Sequence, residues 1–230
     1  MNTLGHKFRL TTFGESHATA MGGIIDGCPS QLSIDMELIN AELKRRQGDS
    51  PYTTPRKEEN EIEFLSGILD EKTLGTPIAF VIRNKNCKSQ DYDQLKELFR
   101  PNHGDYTWQQ KYGIRDARGG GRSSARETVS WVVAGTIAKQ ILAQQGIQIQ
   151  ASVHSIGGVE NYEELLEKAR GRQDTLGGII KCKVEHMPVG LGDPIFNKLS
   201  AELAHAMMTI PSAIGFEMGI GFEAVLSASV

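Results

Sequence analysis

Alternating hydrophobic and polar positions predict strands in the first third of the chain. Residues 8–13 are rich in β-branched and aromatic side chains, and an apolar run resumes over residues 22–26, so both segments are predicted strands. Residues 61–65 alternate between polar and apolar side chains, and residues 77–82 form a short apolar run, which predicts two more. The polar residues 14–18 separate the first two strands and are predicted to form a loop.

Helical spacing marks the segments that should pack against these strands. Met36, Ile39 and Leu43 share one face of a predicted helix. That helix has acidic residues in its first turn and basic residues in its last, an order that suits the helix dipole. Residues 129–142 are apolar on almost every side, which predicts a buried helix. Two further helices are predicted over residues 161–170 and 196–207. Two further strands are predicted over residues 179–186 and 212–218. This mixture favours an α+β fold in which sheets pack on a buried helical layer.

Three consecutive glycines, at positions 119–121, precede the buried helix. Ser124 and Glu127 have the spacing of a capping box, in which each side chain accepts a hydrogen bond from the backbone N–H of the other. Glycine lets the backbone approach a ligand closely, and the N–H groups of a first helical turn favour an anion. The contiguous glycines, with no lysine at the required spacing, match neither a phosphate-binding loop nor a dinucleotide fingerprint.

Basic side chains crowd the same short stretch of sequence. Arginine can contact a phosphate or a carboxylate through two parallel hydrogen bonds, and the hydroxyls of Ser123 and Ser124 add further polar groups. A solvent-facing charged surface explains most runs of this kind, but here the adjoining glycines and predicted helix start favour an anionic ligand. The arginines concerned are Arg115, Arg118, Arg122 and Arg126.

Two of the six histidines lie in polar loops, where functional residues concentrate. His17 is flanked by glycine between two predicted strands, and His103 lies in a loop that contains a proline and an aromatic residue. Histidine exchanges protons near neutral pH, so both are candidate acid–base groups. Neither has a second ligand at a recognised metal-binding interval, so no metal site is predicted. A phosphorylated substrate with two proton carriers indicates phosphate elimination or transfer, and the residues alone lead no further.

Length and composition exclude several classes of protein. The chain has 230 residues and a net charge of −3, which gives no overall attraction to nucleic acid or to anionic membranes. Its three cysteines are scattered, and no apolar run approaches the roughly 18 residues that a membrane span requires. We therefore expect a soluble cytoplasmic protein that binds neither nucleic acid nor membrane.

Two long motifs resemble those of the chorismate synthases. The first comprises Gly14-Glu15-Ser16-His17 together with residues 22–29, and the second is GGGRSSARET over residues 119–128. The segment from Phe99 to Glu127 is similar to the family pattern along its whole length, and the resemblance extends from residue 1 to about residue 223. It implies a single domain over residues 1–230 that is truncated at its C-terminus, a β-α-β sandwich with buried helices between sheets, and a homotetramer.

The resemblance also implies a reaction. The family catalyses a 1,4-anti elimination of phosphate from 5-enolpyruvylshikimate-3-phosphate to give chorismate, with reduced FMN (FMNH2) as a cofactor that is not consumed. By resemblance, His17 protonates or stabilises the reduced flavin near its N1/O2 edge, and His103 protonates the departing phosphate. Arg122, Ser123 and Ser124 are expected to contact FMN. The substrate, or NADPH in members that reduce their own flavin, is expected to be bound by Arg45, Arg46, Arg56 and Arg126.

Two other functions remain open from the sequence. A chain shorter than the family's usual length is also consistent with a catalytically incomplete fragment that serves only as a ligand-binding or assembly module. An RNA or nucleotide binder that uses the arginine cluster is disfavoured by the acidic balance and by the lack of a basic, aromatic-lined stripe.

Overall fold

The computed structural model describes residues 2–48, 50–52, 60–85 and 97–226. The strands are β1 (Thr3–Leu4), β2 (Arg9–Gly14), β3 (Ala20–Asp26), β4 (Ile62–Phe64), β5 (Ile68–Leu69), β6 (Lys72–Thr73), β7 (Ile78–Arg83), β8 (Gln148–Ile156), β9 (Gly178–Glu185), β10 (Gly192–Asp193) and β11 (Asn197–Lys198). The helices are α1 (Met36–Gln47), α2 (Asp105–Tyr112), α3 (Thr128–Ala143), α4 (Glu163–Gly171) and α5 (Leu199–Met208).

The five-stranded sheet of the first part of the chain is antiparallel and has the strand order β1-β2-β3-β7-β4. Its buried face shows the two-residue period of a strand, because Ile78, Phe80 and Ile82 alternate with more exposed neighbours along β7. On β3, Met21 and Ile25 are likewise fully buried. The four strands predicted in the first third of the chain are therefore confirmed.

Helices α1 and α3 cover this sheet and complete its core. Ile39 of α1 and Ile137 of α3 are fully buried in the same cluster as the apolar residues of β3 and β7. Helix α3 contacts β2 and β3 and also β8, which pairs with β9 in a second antiparallel sheet. The α+β class and the helical layer in contact with two sheets are confirmed.

The start of α3 differs from the predicted capping box. Two short 3₁₀ turns, Gly121–Ser123 and Ala125–Glu127, precede the helix, and the Ser124 hydroxyl accepts a hydrogen bond from the backbone N–H of Arg126 at 3.4 Å. The Glu127 carboxylate forms an ion pair with Arg122 instead of capping the helix. The reciprocal half of the predicted box is therefore wrong, because a nearby guanidinium binds that carboxylate.

Of three other predicted elements, two are confirmed and one is wrong. The helix predicted over 161–170 corresponds to α4, and the strand predicted over 179–186 corresponds to β9. The strand predicted over 212–218 is wrong: that segment is irregular and forms no ladder with any described strand. Helix α2 and strand β8 were not predicted, since β8 mixes its apolar residues with glutamine, serine and histidine.

The chain divides into two compact units, Met1–His186 and Met187–Val230. The first contains the two sheets and helices α1–α4, and the second contains β10, β11 and α5. A single domain over residues 1–230 remains a prediction. No helix in the described part of the chain is both long enough and apolar enough to cross a membrane.

Candidate functional site

The turn formed by Gly119, Gly120 and Gly121 lies at the centre of the candidate site. Their φ angles are +60°, +88° and +53°, a left-handed backbone that residues with a side chain rarely adopt. The turn leads directly into the two 3₁₀ turns that precede α3. This backbone conformation therefore favours glycine at all three positions.

The two candidate acid–base histidines lie against adjacent residues of this turn. A methyl group added to Gly119 would overlap the imidazole ring of His17, and one added to Gly120 would lie 2.7 Å from Nε2 of His103. Both clashes are far inside van der Waals contact, so the bare glycine backbone fills the space beside each ring. The fold thus brings together two histidines that are distant in the sequence.

His17 occupies a short loop between β2 and β3. The loop is closed by a hydrogen bond from the N–H of Ala18 to the carbonyl oxygen of Glu15 at 3.1 Å. Ser16 Oγ lies 3.0 Å from Nδ1 of His17, and both side chains are buried. The imidazole of His17 is only 8% exposed, which limits the number of orientations that it can adopt.

His103 is held by charged groups at the start of α2. Its Nδ1 lies 2.9 Å from Oδ1 of Asp105 and 3.2 Å from Nη2 of Arg100. Arg100 donates to both carboxylate oxygens of Asp105, at 2.8 and 2.9 Å. These hydrogen bonds hold the pKa of the Asp105 carboxyl well below its ordinary value, although burial opposes the shift. Asp105 therefore stays ionised beneath His103.

A cavity of about 780 Å³ opens beside the turn. Its wall combines aromatic and aliphatic side chains with three arginines, a composition that suits a planar ring system bearing an anionic group. The lining residues are Asn2, Thr12, Phe13, Gly14, Glu15, Asp105, Trp108, Tyr112, Ile114, Arg115, Asp116, Arg118, Gly120, Gly121, Arg122 and Ser123.

The arginines of this cavity are balanced by carboxylates. Arg118 donates to both oxygens of Asp116 at 2.9 Å. Burial raises the pKa of Asp116, but the hydrogen bonds from Arg118 outweigh it and the net pKa is below the ordinary value. Arg115 lies 3.7 Å from Asp105 and stacks over the ring of Phe99. A ligand anion would thus enter a site where the cations are already oriented by acidic partners.

Arg122, Ser123 and Ser124, the predicted cofactor contacts, take three different positions. Arg122 donates to Glu127 at 2.8 Å and to Thr12 Oγ1 at 2.8 Å, which fixes its guanidinium at the cavity wall. Ser123 lines the cavity and donates to the carbonyl oxygen of Gly120 at 2.7 Å. Ser124 caps the following turn and is not part of the cavity lining.

The carboxyl group of Glu127 lies behind Arg122. Burial raises the pKa of Glu127 above its ordinary value despite the opposing effect of the Arg122 ion pair. One oxygen of this carboxylate pairs with Arg122. This ion pair and the hydrogen bond to Thr12 therefore hold the Arg122 guanidinium in one orientation.

The four arginines predicted for substrate or NADPH lie apart from the cavity lining where the structure describes them. Arg126 is buried and bonds to the side chains of Asn84 and Asn60 at 2.8 and 3.2 Å. Arg46 donates to Thr128 Oγ1 at 3.0 Å, at the start of α3. Arg45 reaches the backbone of β8 at Ala151. Arg56 lies outside the described residues.

Sequence reasoning missed the groups that support the two histidines. Asp105 stands two residues after His103, and its pairing with Arg100 could have been suspected from an acid and a base flanking a loop histidine. Asn84, which contacts the His17 loop, gives no local signal because its partners are distant in the sequence. Such contacts emerge only from the fold.

Comparison with known proteins identifies one family. The family model described as chorismate synthase matches residues 8–229. The chain is 50% identical to the chorismate synthase of Parabacteroides distasonis, over 97% of this chain and 70% of that protein. It is 49% identical to the chorismate synthase of Porphyromonas gingivalis, over 96% of this chain and 68% of that protein.

A solved structure shares the fold. A crystal structure of chorismate synthase superposes with a TM-score of 0.78 at 29% identity, covering 97% of this chain and 71% of the solved one. The family motifs quoted from the sequence coincide with the loop of His17 and with the glycine turn. The chain belongs to the chorismate synthase family.

Proposed function

We propose that this chain converts 5-enolpyruvylshikimate-3-phosphate to chorismate by 1,4-anti elimination of phosphate, with reduced FMN as cofactor. The observation that carries the proposal is the placement of His17 and His103 against adjacent glycines of one turn, beside an arginine-lined cavity. Chorismate synthases are lyases of the shikimate pathway, and membership of the family implies a requirement for reduced flavin.

The cavity has the features that a flavin needs. Phe13, Trp108 and Tyr112 supply apolar wall for a planar ring, and Arg122 and Ser123 supply polar side chains at the glycine turn. When bound, reduced flavin supplies the electron chemistry that loss of an unactivated ring hydrogen requires. The protein's own part is to bind, to orient and to hold protons.

His103 is proposed to protonate the departing phosphate. In this role Nδ1–H donates to Asp105, which Arg100 holds in place, and this leaves Nε2, the nitrogen beside Gly120, as the working atom. His17 is proposed to hold a proton near the N1–O2 edge of the flavin, and its contact with Ser16 fixes one side of that ring. The two histidines, neither of which is among the cavity-lining residues, then perform separate acid–base tasks beside the same glycine turn.

The arginines are proposed to bind the anionic groups of the ligands. Arg45, Arg46, Arg56 and Arg126 remain candidates for the substrate phosphate and carboxylates, or for NADPH where the flavin is reduced by the same chain. A homotetramer and a cytoplasmic location belong to the same proposal. Of the four arginines, Arg126 is connected through Asn84 to the loop of His17.

Anaerobic chorismate formation with chemically reduced FMN tests the proposal. We expect His17→Ala and His103→Ala each to lower kcat by about 10²–10⁴-fold, the usual contribution of a positioned acid or base. His154→Ala, at an exposed position on β8, is the matched control and should retain wild-type turnover. Full activity in both histidine variants would contradict the assigned roles, and flavin binding without turnover in the wild type would favour a ligand-binding module.

The glycine turn provides a steric test. Gly120→Ala places a methyl group against His103 and forces a left-handed backbone on alanine, so we expect turnover to fall by at least about 10-fold. Gly135→Ala is the control, because its added methyl group meets no atom within 4 Å and alanine favours a helix by about 1 kcal/mol. Equal kinetics in the two variants would show that the turn does not shape the site.

The Asp105 ion pair predicts a dependence of stability on pH. Because the pKa of Asp105 is lowered in the folded protein, its contribution to stability is present above the unfolded value near 4 and is lost as pH falls below it. Asp105→Asn should lower the free energy of unfolding by about 3 kcal/mol at pH 7, and by progressively less toward pH 3.

Urea denaturation across this pH range measures the effect. Asp70→Asn, at an exposed turn, is the control and should show a difference within about 0.5 kcal/mol at every pH. A deficit for Asp105→Asn that stays constant down to pH 3 would show that the carboxylate charge is not the source of the stabilisation.

A further inference from the structure

Asn84 is the first residue after β7, and both the nitrogen and the oxygen of its side-chain amide form hydrogen bonds. Its Nδ2 donates to the carbonyl oxygens of Glu15 at 3.0 Å and of Ala18 at 2.9 Å. Its backbone N–H donates to the carbonyl oxygen of Thr19 at 3.1 Å. Three hydrogen bonds from one residue therefore bind the loop that carries His17, from its first residue to its last.

The amide oxygen of Asn84 faces a cation. Arg126 Nε donates to Asn84 Oδ1 at 2.8 Å, and Arg126 Nη1 donates to Asn60 Oδ1 at 3.2 Å. Two carbonyl oxygens on one side and a guanidinium on the other fix which end of the amide is nitrogen and which is oxygen. Only an amide side chain supplies two donors and one acceptor in this arrangement.

The connection joins two parts of the site that are far apart in the sequence. The loop of residues 15–19 has no regular structure of its own, and its internal bond from Ala18 to Glu15 leaves Ser16 and His17 at the apex. Arg126 is 7% exposed and belongs to the turn before α3. A shift of the loop would therefore be transmitted to Arg126 through a single amide group.

We propose that Asn84 is a positioning residue for the reaction, which holds the His17 loop and the Arg126 guanidinium in one fixed relation. The expected effect of Asn84 on turnover rests on the proposed function. Its expected effect on the position of His17 does not, because that position is a property of the protein alone. Nothing in this role requires Asn84 to touch the substrate or the flavin.

Substitutions at this position separate its donors from its acceptor. Asn84→Asp keeps an oxygen for Arg126 but replaces both N–H donors with an oxygen that faces the carbonyls of Glu15 and Ala18. Asn84→Ser keeps one hydroxyl donor and is the milder change, which carries the test if the aspartate variant does not fold. Asn161→Asp, at an exposed position, is the matched control.

The first readout does not depend on turnover. Diethyl pyrocarbonate reacts with accessible imidazole, and mass spectrometry gives the rate for each histidine. We expect His17, now 8% exposed, to react at least about 5-fold faster in Asn84→Asp and by an intermediate factor in Asn84→Ser, with His154 unchanged. Wild-type rates at His17 in both variants, or equal acceleration of His17 and His154, would overturn the proposal.

The second readout is kinetic. Misplacement of an acid–base group by about 1 Å can cost 10²-fold, so we expect kcat of Asn84→Asp to fall by about 10–100-fold while KM changes by less than about 3-fold. A kcat within about 2-fold of wild type would overturn the proposal even if His17 became more reactive. If the wild type itself has no turnover, the proposed function fails while the reactivity of His17 still decides the role of Asn84.

Discussion

The left-handed backbone of Gly119–Gly121 is the constraint on which the rest of the site depends. A side chain at either of the first two positions would overlap an imidazole ring, so the turn can lie against His17 and His103 only as bare backbone. The same turn delivers the chain into α3, whose buried residues are part of the main core. The site is thus attached directly to a helix of the buried core.

Around this turn, buried charge is balanced in local pairs. Asp105 is paired with Arg100 beneath His103, and Glu127 is paired with Arg122 behind the cavity wall. A buried ion without a partner would cost several kcal/mol, so each pair restrains its members in one arrangement. The consequence for function is that the histidine and the arginine are oriented before any ligand binds, which reduces the reorganisation that the reaction requires.

Sequence patterns predicted the elements better than their assembly. The strands β2, β3 and β7 and the helices α1 and α3 follow from periodicity, because each has one face that must be buried. The histidines were found as candidates from their loops, and the glycine turn was found as an anion site from its composition. That both histidines contact this turn could not be predicted, since the contacts join residues that lie far apart in the chain.

The failures have physical reasons of the same kind. The segment over 212–218 has the composition of a strand but pairs with no described strand, and a strand needs a partner for its backbone groups. Arg45 has the charge expected of a ligand contact, yet it bonds to the backbone of β8. Asn84 carries no motif at all, and its importance lies entirely in long-range hydrogen bonds.

A crystal structure of the chain with FMN and 5-enolpyruvylshikimate-3-phosphate would test the central claim most directly. We predict that both ligands lie in the cavity beside the glycine turn, with a ring nitrogen of His17 and Nε2 of His103 within about 3.2 Å of ligand polar atoms. Ligands bound elsewhere, or in contact with only one of the two histidines, would contradict the claim that this turn organises a single reaction site.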